Sequence, residues 1–126
     1  MLLSSAGCGG SVTQPDPRPI GQPFELRVGT STTVEGGLTL TFDRVTTDSR
    51  CPMDVVCVWA GDAIVAVSLS QAADGSATRE LHTDASQSET SYLAYSIRLV
   101  RLAPYPRTDR ETRSGDYVAT LAVTAR

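Results

Sequence analysis

Residues 48–63 read DSRCPMDVVCVWAGDA and set three carboxylates, Asp48, Asp54 and Asp62, around two thiols, Cys51 and Cys57. Such a cluster serves metal binding, redox exchange, acid–base chemistry or plain bracing, and each use needs its own spacing. A zinc knuckle separates paired cysteines by roughly two to four residues and draws on a second pair of ligands. Here Pro52 to Val56 intervene, and the chain holds three cysteines and one histidine, too few well-placed ligands to complete four. A redox pair needs the CxxC spacing, usually at a helix start that lowers a thiol pKa. That spacing is absent and no helical pattern follows. A local disulfide remains, closing a loop in which Pro52 fixes one backbone angle. It requires an oxidising compartment; in the cytosol the same residues would be inert reduced thiols.

The carboxylates leave several uses open. Two of Asp48, Asp54 and Asp62 at about 5 to 9 Å would suit glycoside hydrolysis. All three, or Met53 with them, would suit a metal, although the spacing fits no EF-hand loop. Separate loop acids that form turns and accept backbone hydrogen bonds are the plain reading. His82, in LHTD, alternates away from Leu81 and reads as a solvent-facing strand residue, and no nucleophile-elbow pattern supplies it with a serine. Gly9-Gly10 and Gly36-Gly37 lack the lysine or helix of a phosphate cradle. No catalytic residue, metal or cofactor is assigned. Tyr92, Tyr95 and Tyr105 are candidate contact residues, because exposed tyrosines stack on sugars or on a partner protein; tyrosines that close the ends of a core, hydroxyl toward solvent, are the alternative.

The third cysteine stands apart. Ser5-Ala6-Gly7-Cys8 resembles the lipobox of bacterial lipoproteins, in which small residues precede a cysteine that is acylated and becomes the new N-terminus. Ala6, Gly7 and Cys8 match that pattern and Ser5 departs from its usual aliphatic residue. A signal peptide needs a basic start and an apolar run of about 7 to 15 residues. The expectation is therefore that Met1 lies inside a longer signal; a plain tail with a chance cysteine is the alternative. Residues 1–8 then form the signal-like segment, the Gly-, Pro- and Ser-rich residues 9–21 a flexible tether, and residues 22–126 a single domain. No apolar run approaches the roughly 18 residues that span a bilayer.

The net charge of −3 over 126 residues gives no footprint for nucleic acid or an anionic membrane surface. All eleven basic residues are arginine. Arg98, Arg101, Arg107, Arg110 and Arg113 fall in one stretch, the last three interleaved with Asp109, Glu111 and Asp116, and such a mixed-sign run reads as solvated.

What positions these groups is a set of strands. Phe24, Leu26 and Val28 alternate with Glu25 and Arg27, and Leu38, Leu40 and Phe42 alternate after the Gly36-Gly37 turn. The pattern slips at Val45, which predicts a bulge. Residues 57–70 put Trp59, Ala63, Val65, Val67 and Leu69 on one face and mostly apolar residues on the other, as a central strand does, with Gly61 easing a bend or a close contact with Trp59. Residues 78–83, the stretch from Tyr95 to Leu102 and that from Tyr117 to Ala125 are further strands, and residues 84–91 read as a polar loop. No helical periodicity appears. The fold class is all-β: an antiparallel β-sandwich, immunoglobulin-like with about six to eight strands, or else a small β-barrel.

The motifs Phe24-Glu-Leu-Arg-Val-Gly, Asp48-Ser-Arg-Cys-Pro, Cys57-Val-Trp-Ala-Gly-Asp-Ala63, Leu102-Ala-Pro-Tyr-Pro and Asp116-Tyr-Val-Ala-Thr-Leu resemble those of a group of uncharacterised secreted or lipid-anchored bacterial β proteins. The resemblance covers most of the chain after Gln22 and implies an exported β domain, with no activity attached. The expectation is a noncatalytic, extracytoplasmic cell-envelope lipoprotein, lipid-anchored or periplasmic, whose sandwich contacts an envelope protein or polymer. It meets the membrane only through its anchor, and its oligomeric state is open. A small extracytoplasmic hydrolase using the loop acids and a periplasmic metal-binding module are the alternatives.

Overall fold

The computed structural model describes residues 17–72 and 75–126; Cys8, residues 1–8 and most of the expected tether lie outside them. Eight strands run β1 (Phe24–Arg27), β2 (Ser31–Val34), β3 (Leu38–Asp48), β4 (Ala63–Ser70), β5 (Ser76–His82), β6 (Glu89–Tyr92), β7 (Tyr95–Ala103) and β8 (Val118–Ala125). They form two four-stranded antiparallel sheets, ordered β1-β8-β7-β6 and β2-β3-β4-β5, neither closed on itself. This is the sandwich and not the barrel.

Alternation builds the core. Leu38, Leu40 and Phe42 from β3, Val65, Val67 and Leu69 from β4, Ile97 and Leu99 from β7, and Leu121 and Val123 from β8 are buried in one cluster between the sheets. Removing such area from water is the main drive for folding. β4 lies inside its sheet between β3 and β5, as its two apolar faces require. The expected slip near Val45 is a pair of register shifts, one between Phe42 and Arg44 and one between Val45 and Thr47.

β2 and β6 carry no alternating signal. Only Val34 in STTV and Tyr92 in ETSY are buried, so these edge strands exist through their ladders to β3 and β7, and the stretch around residues 84–91 is part strand. The folded unit also starts before residue 22. Arg18 N–H donates to Thr33 O at 2.8 Å, Gly21 N–H donates to Val123 O at 2.8 Å, and Ile20 packs on the core.

Residues 57–62 correct the sequence reading: β4 begins at Ala63, and Trp59, expected on its core face, is 82% exposed. The opposing sheet ends where Ala103 pairs with Val118. Beyond Asp48 and Ala63 the two arms continue as a loop, tied by Ser49 N–H to Asp62 O at 2.7 Å and Cys51 N–H to Ala60 O at 3.0 Å. The apolar residues there have no facing layer to enter.

The sandwich thus has two distinct poles. One gathers Asp48, Ala63, His82, Ala103 and Val118; the other gathers Val34, Leu38, Ser70, Tyr95 and Ala125, beside which Arg18 enters.

Candidate functional site

The first pole is built on one buried charge. Arg50, 5% exposed, is the sole buried polar or charged residue among those described. Its Nε and Nη2 donate to the two Asp48 oxygens at 2.8 and 2.7 Å, while Nη1 donates to Leu102 O at 2.7 Å and Nη2 to Pro104 O at 3.0 Å. Tyr117 Oη donates to Asp48 Oδ2 at 2.9 Å. Residues of both sheets meet in this network, so it pins their ends together at the root of the stapled loop. A buried pair tolerates its desolvation only with this kind of complete hydrogen bonding.

Electrostatics follow the geometry. Burial pushes the Asp48 carboxyl up, but the bonds from Arg50 and Tyr117 and the Arg50 charge outweigh it and hold the group below the ordinary carboxylate value. Burial, then the bond to Asp48 and the Asp48 charge, push Tyr117 up to about 12. Gly61 is needed close by: at φ +75° a Cβ would lie 1.9 Å from Ser49 O, so the constraint comes from the backbone of the facing arm and not from Trp59.

Above this base Cys51 and Cys57 form a disulfide with Cα atoms 5.9 Å apart. Val55 N–H turns back to Pro52 O at 3.2 Å, and Met53 N–H reaches Pro106 O at 2.9 Å. Thr108 donates its backbone N–H to Asp54 Oδ1 at 3.0 Å and its hydroxyl to Oδ2; these bonds draw the Asp54 carboxyl below its usual range. The braced loop lifts Met53, Val55, Val56, Val58 and Trp59 into solvent, with Val56 and Val58 almost wholly exposed. Scattered exposed apolar residues are ordinary, but five within a seven-residue span form a patch of the kind that marks interaction sites.

The three loop acids do not converge. Asp48 is bound to Arg50, Asp54 to Thr108, and Asp62 to a separate group at the end of β5. There His82 Nδ1 lies 2.5 Å from Asp62 Oδ2, and Thr83 Oγ1 and Asp84 N–H each donate to Oδ1 at 3.0 Å. Burial raises the Asp62 carboxyl, yet the bonds from His82, Asp84 and Thr83 bring it below the ordinary value. His82 is thus half-buried and paired, where alternation alone made it a solvent-facing residue. Among the described residues no hydroxyl or thiol is bonded to its other ring nitrogen, and no three His, Cys, Asp or Glu side chains are grouped to hold a metal.

The tyrosines divide. Tyr92 and Tyr95 are buried at the far pole and turn their hydroxyls to backbone carbonyls, Tyr92 to Gly75 O at 2.9 Å and Tyr95 to Glu35 O at 3.2 Å. Tyr105 is exposed at the stapled pole with the Arg50 guanidinium 4.7 Å from its ring centroid. Of the C-terminal arginines, Arg107 forms an exposed pair with Asp109 at 2.9 Å. Sequence reasoning missed Arg50 and Tyr117: Asp48 lies two residues from Arg50, but the carbonyl that completes its burial is 52 residues away at Leu102, and Tyr117 is 69 residues from Asp48. It also missed the outward turn of Trp59. The chain matches no known protein family, curated protein or solved structure.

Proposed function

We propose that this protein is a noncatalytic interaction module of the bacterial cell envelope, anchored through Cys8 and docking a partner protein with its stapled loop. The observation that carries the reading is Trp59 held in solvent on a braced loop beside Met53, Val55, Val56 and Val58. Interfaces concentrate affinity in a few Trp, Tyr, Met and Arg anchors. A loop whose shape is set before contact also loses less entropy on binding. The disulfide and the buried Arg50–Asp48 pair supply that rigidity.

The entry of the chain supports the same reading. Arg18 and Gly21 attach at the pole opposite the loop, so a tether from Cys8 joins the domain at the end away from the loop. Catalysis draws less support: Asp48 is neutralised by Arg50, both described thiols are joined in the disulfide, and among the described residues no hydroxyl or thiol is bonded to the other ring nitrogen of His82.

Two measurements test the reading. A photo-crosslinking residue placed at Val56 in envelope preparations is expected to give one discrete protein adduct that the same probe at Thr32, on β2, does not give. Equal or absent labelling at both sites overturns the docking role. Intact mass of the product of the full reading frame, alkylated without reductant, is expected to show a diacylglyceryl group on Cys8 and no alkylation of Cys51 and Cys57. Three alkylated cysteines in a soluble, unprocessed chain overturn the envelope assignment.

A further inference from the structure

A cavity of about 430 Å³ opens beside the stapled loop and is distinct from its apolar tip. Its walls come from opposite sheets. Thr83 and Asp84 follow β5, and residues 100–102 belong to the part of β7 left uncovered beyond Leu99, whose N–H still donates to Ser88 O at 2.8 Å. Ala60 and Gly61 supply a side chain of one methyl and none, and Tyr105 stands at the side over Arg50.

The polar groups select the occupant. An added peptide strand needs the open edge of β7, but the Leu102 carbonyl already accepts Arg50 Nη1 at 2.7 Å, and freeing it would leave a buried guanidinium N–H unpaired. An anion finds Arg50 committed to Asp48, Leu102 and Pro104, and meets the Asp84 carboxylate in the wall that follows β5. A cation would approach a tyrosine ring that already carries a guanidinium 4.7 Å from its centroid.

A neutral, hydroxyl-rich ring fits all of these constraints. The free face of Tyr105 offers an apolar surface for it. The two bonds to the Asp84 carboxylate, from Ser86 N–H and Ser86 Oγ, both fall on Oδ1, which leaves Oδ2 to accept a hydroxyl. We infer that this cavity is a saccharide subsite with room for a neutral disaccharide, within the ordinary size of small-molecule pockets. It makes the module a carrier of two contacts, a protein at the tip and a glycan at its flank.

The test is amide chemical-shift mapping of the uniformly 15N-labelled chain with cellobiose, maltose and N,N′-diacetylchitobiose, each to ~10 mM so that even a millimolar Kd is visible. The expected result is that at least one of them shifts the Gly61, Asp84 and Arg101 amides. Asp84→Asn, at an exposed position, is expected to weaken that binding at least ~10-fold, while Tyr105→Phe, which keeps the ring, stays within ~3-fold. No response at those amides from any of the three sugars overturns the subsite. So does binding that survives Asp84→Asn unweakened, or shifts confined to residues 53–59. The crosslinking result at Val56 does not depend on any of these outcomes.

Discussion

The two poles of the sandwich use the same kinds of residue in opposite ways. At the far pole Tyr92 and Tyr95 lie inside, their hydroxyls spent on the Gly75 and Glu35 carbonyls, and Tyr95 packs so tightly against the 36–37 turn that a Cβ on Gly36 would fall 2.2 Å from its oxygen. At the stapled pole Trp59 and Tyr105 face water, and the tight packing is moved one layer down, to Arg50, Asp48 and Tyr117. One end spends aromatic area on stability. The other holds it in reserve and fixes its position with an ion pair and a disulfide, the arrangement expected of a surface awaiting a partner.

That contrast breaks most readily at Arg50. Arg50→Ala strands the Asp48 carboxylate in a half-buried site and is expected to cost about 3 to 5 kcal/mol in urea unfolding. Arg50→Met paired with Asp48→Leu is expected to recover much of that loss, because it removes both charges together. A cost below about 1 kcal/mol for Arg50→Ala would mean that the pole is not pinned by this pair.

The same network sets an alkaline limit. Tyr117 is raised in the folded state from 10.0 to about 12, so the folded state favours its protonated form. The stabilisation is complete below pH 10 and is lost as pH rises toward about 12. Thermal unfolding followed from pH 9 to 12 is expected to show a decline that Tyr117→Phe flattens; an unchanged slope in the variant would place the decline elsewhere.

Replacing Cys51 and Cys57 together by serine is expected to cost about 2 kcal/mol, the entropy of one short loop. Local effects should exceed this global one: amide exchange should speed up at residues 52–60 and stay unchanged around Tyr95. The smallest effects compare the aromatic groups directly. Tyr95→Phe, which deletes the bond to Glu35 O and the longer one from Gln71 Nε2, is expected to cost about 1 kcal/mol. Trp59→Ala, although it removes far more atoms, is expected to change stability by less than about 0.5 kcal/mol. A reversal of that order would contradict the division between the poles.

The core was legible because period-two alternation in β1, β3, β4, β7 and β8 is the direct imprint of one buried face. The disulfide was legible from the number and spacing of the cysteines. β2 and β6 were not, since STTV and ETSY bury one residue each and owe their conformation to neighbours distant in sequence. Trp59 misled for a related reason. It continues the alternation of Ala63, Val65 and Val67, and a pattern along one strand does not say where the facing sheet stops. The burial of Arg50 carried no local signal: Asp48 stands two residues before it, as in any exposed pair, and what buries the guanidinium is the carbonyls of residues 102 and 104. The pairing of His82 with Asp62 was hidden likewise, because the partners are 20 residues apart and meet only where β4 and β5 end together.

The chain has a single tryptophan, and it is the last of the exposed apolar residues of the loop. Its fluorescence therefore reports on the claim that organises the rest, that this pole presents its apolar residues outward. Acrylamide quenching of the native protein is predicted to approach that of the same protein unfolded in urea, with little shift in emission between the two states. A blue-shifted native emission, shielded from acrylamide and moving to the red on unfolding, would mean that Trp59 is buried and that the stapled pole is closed like the other.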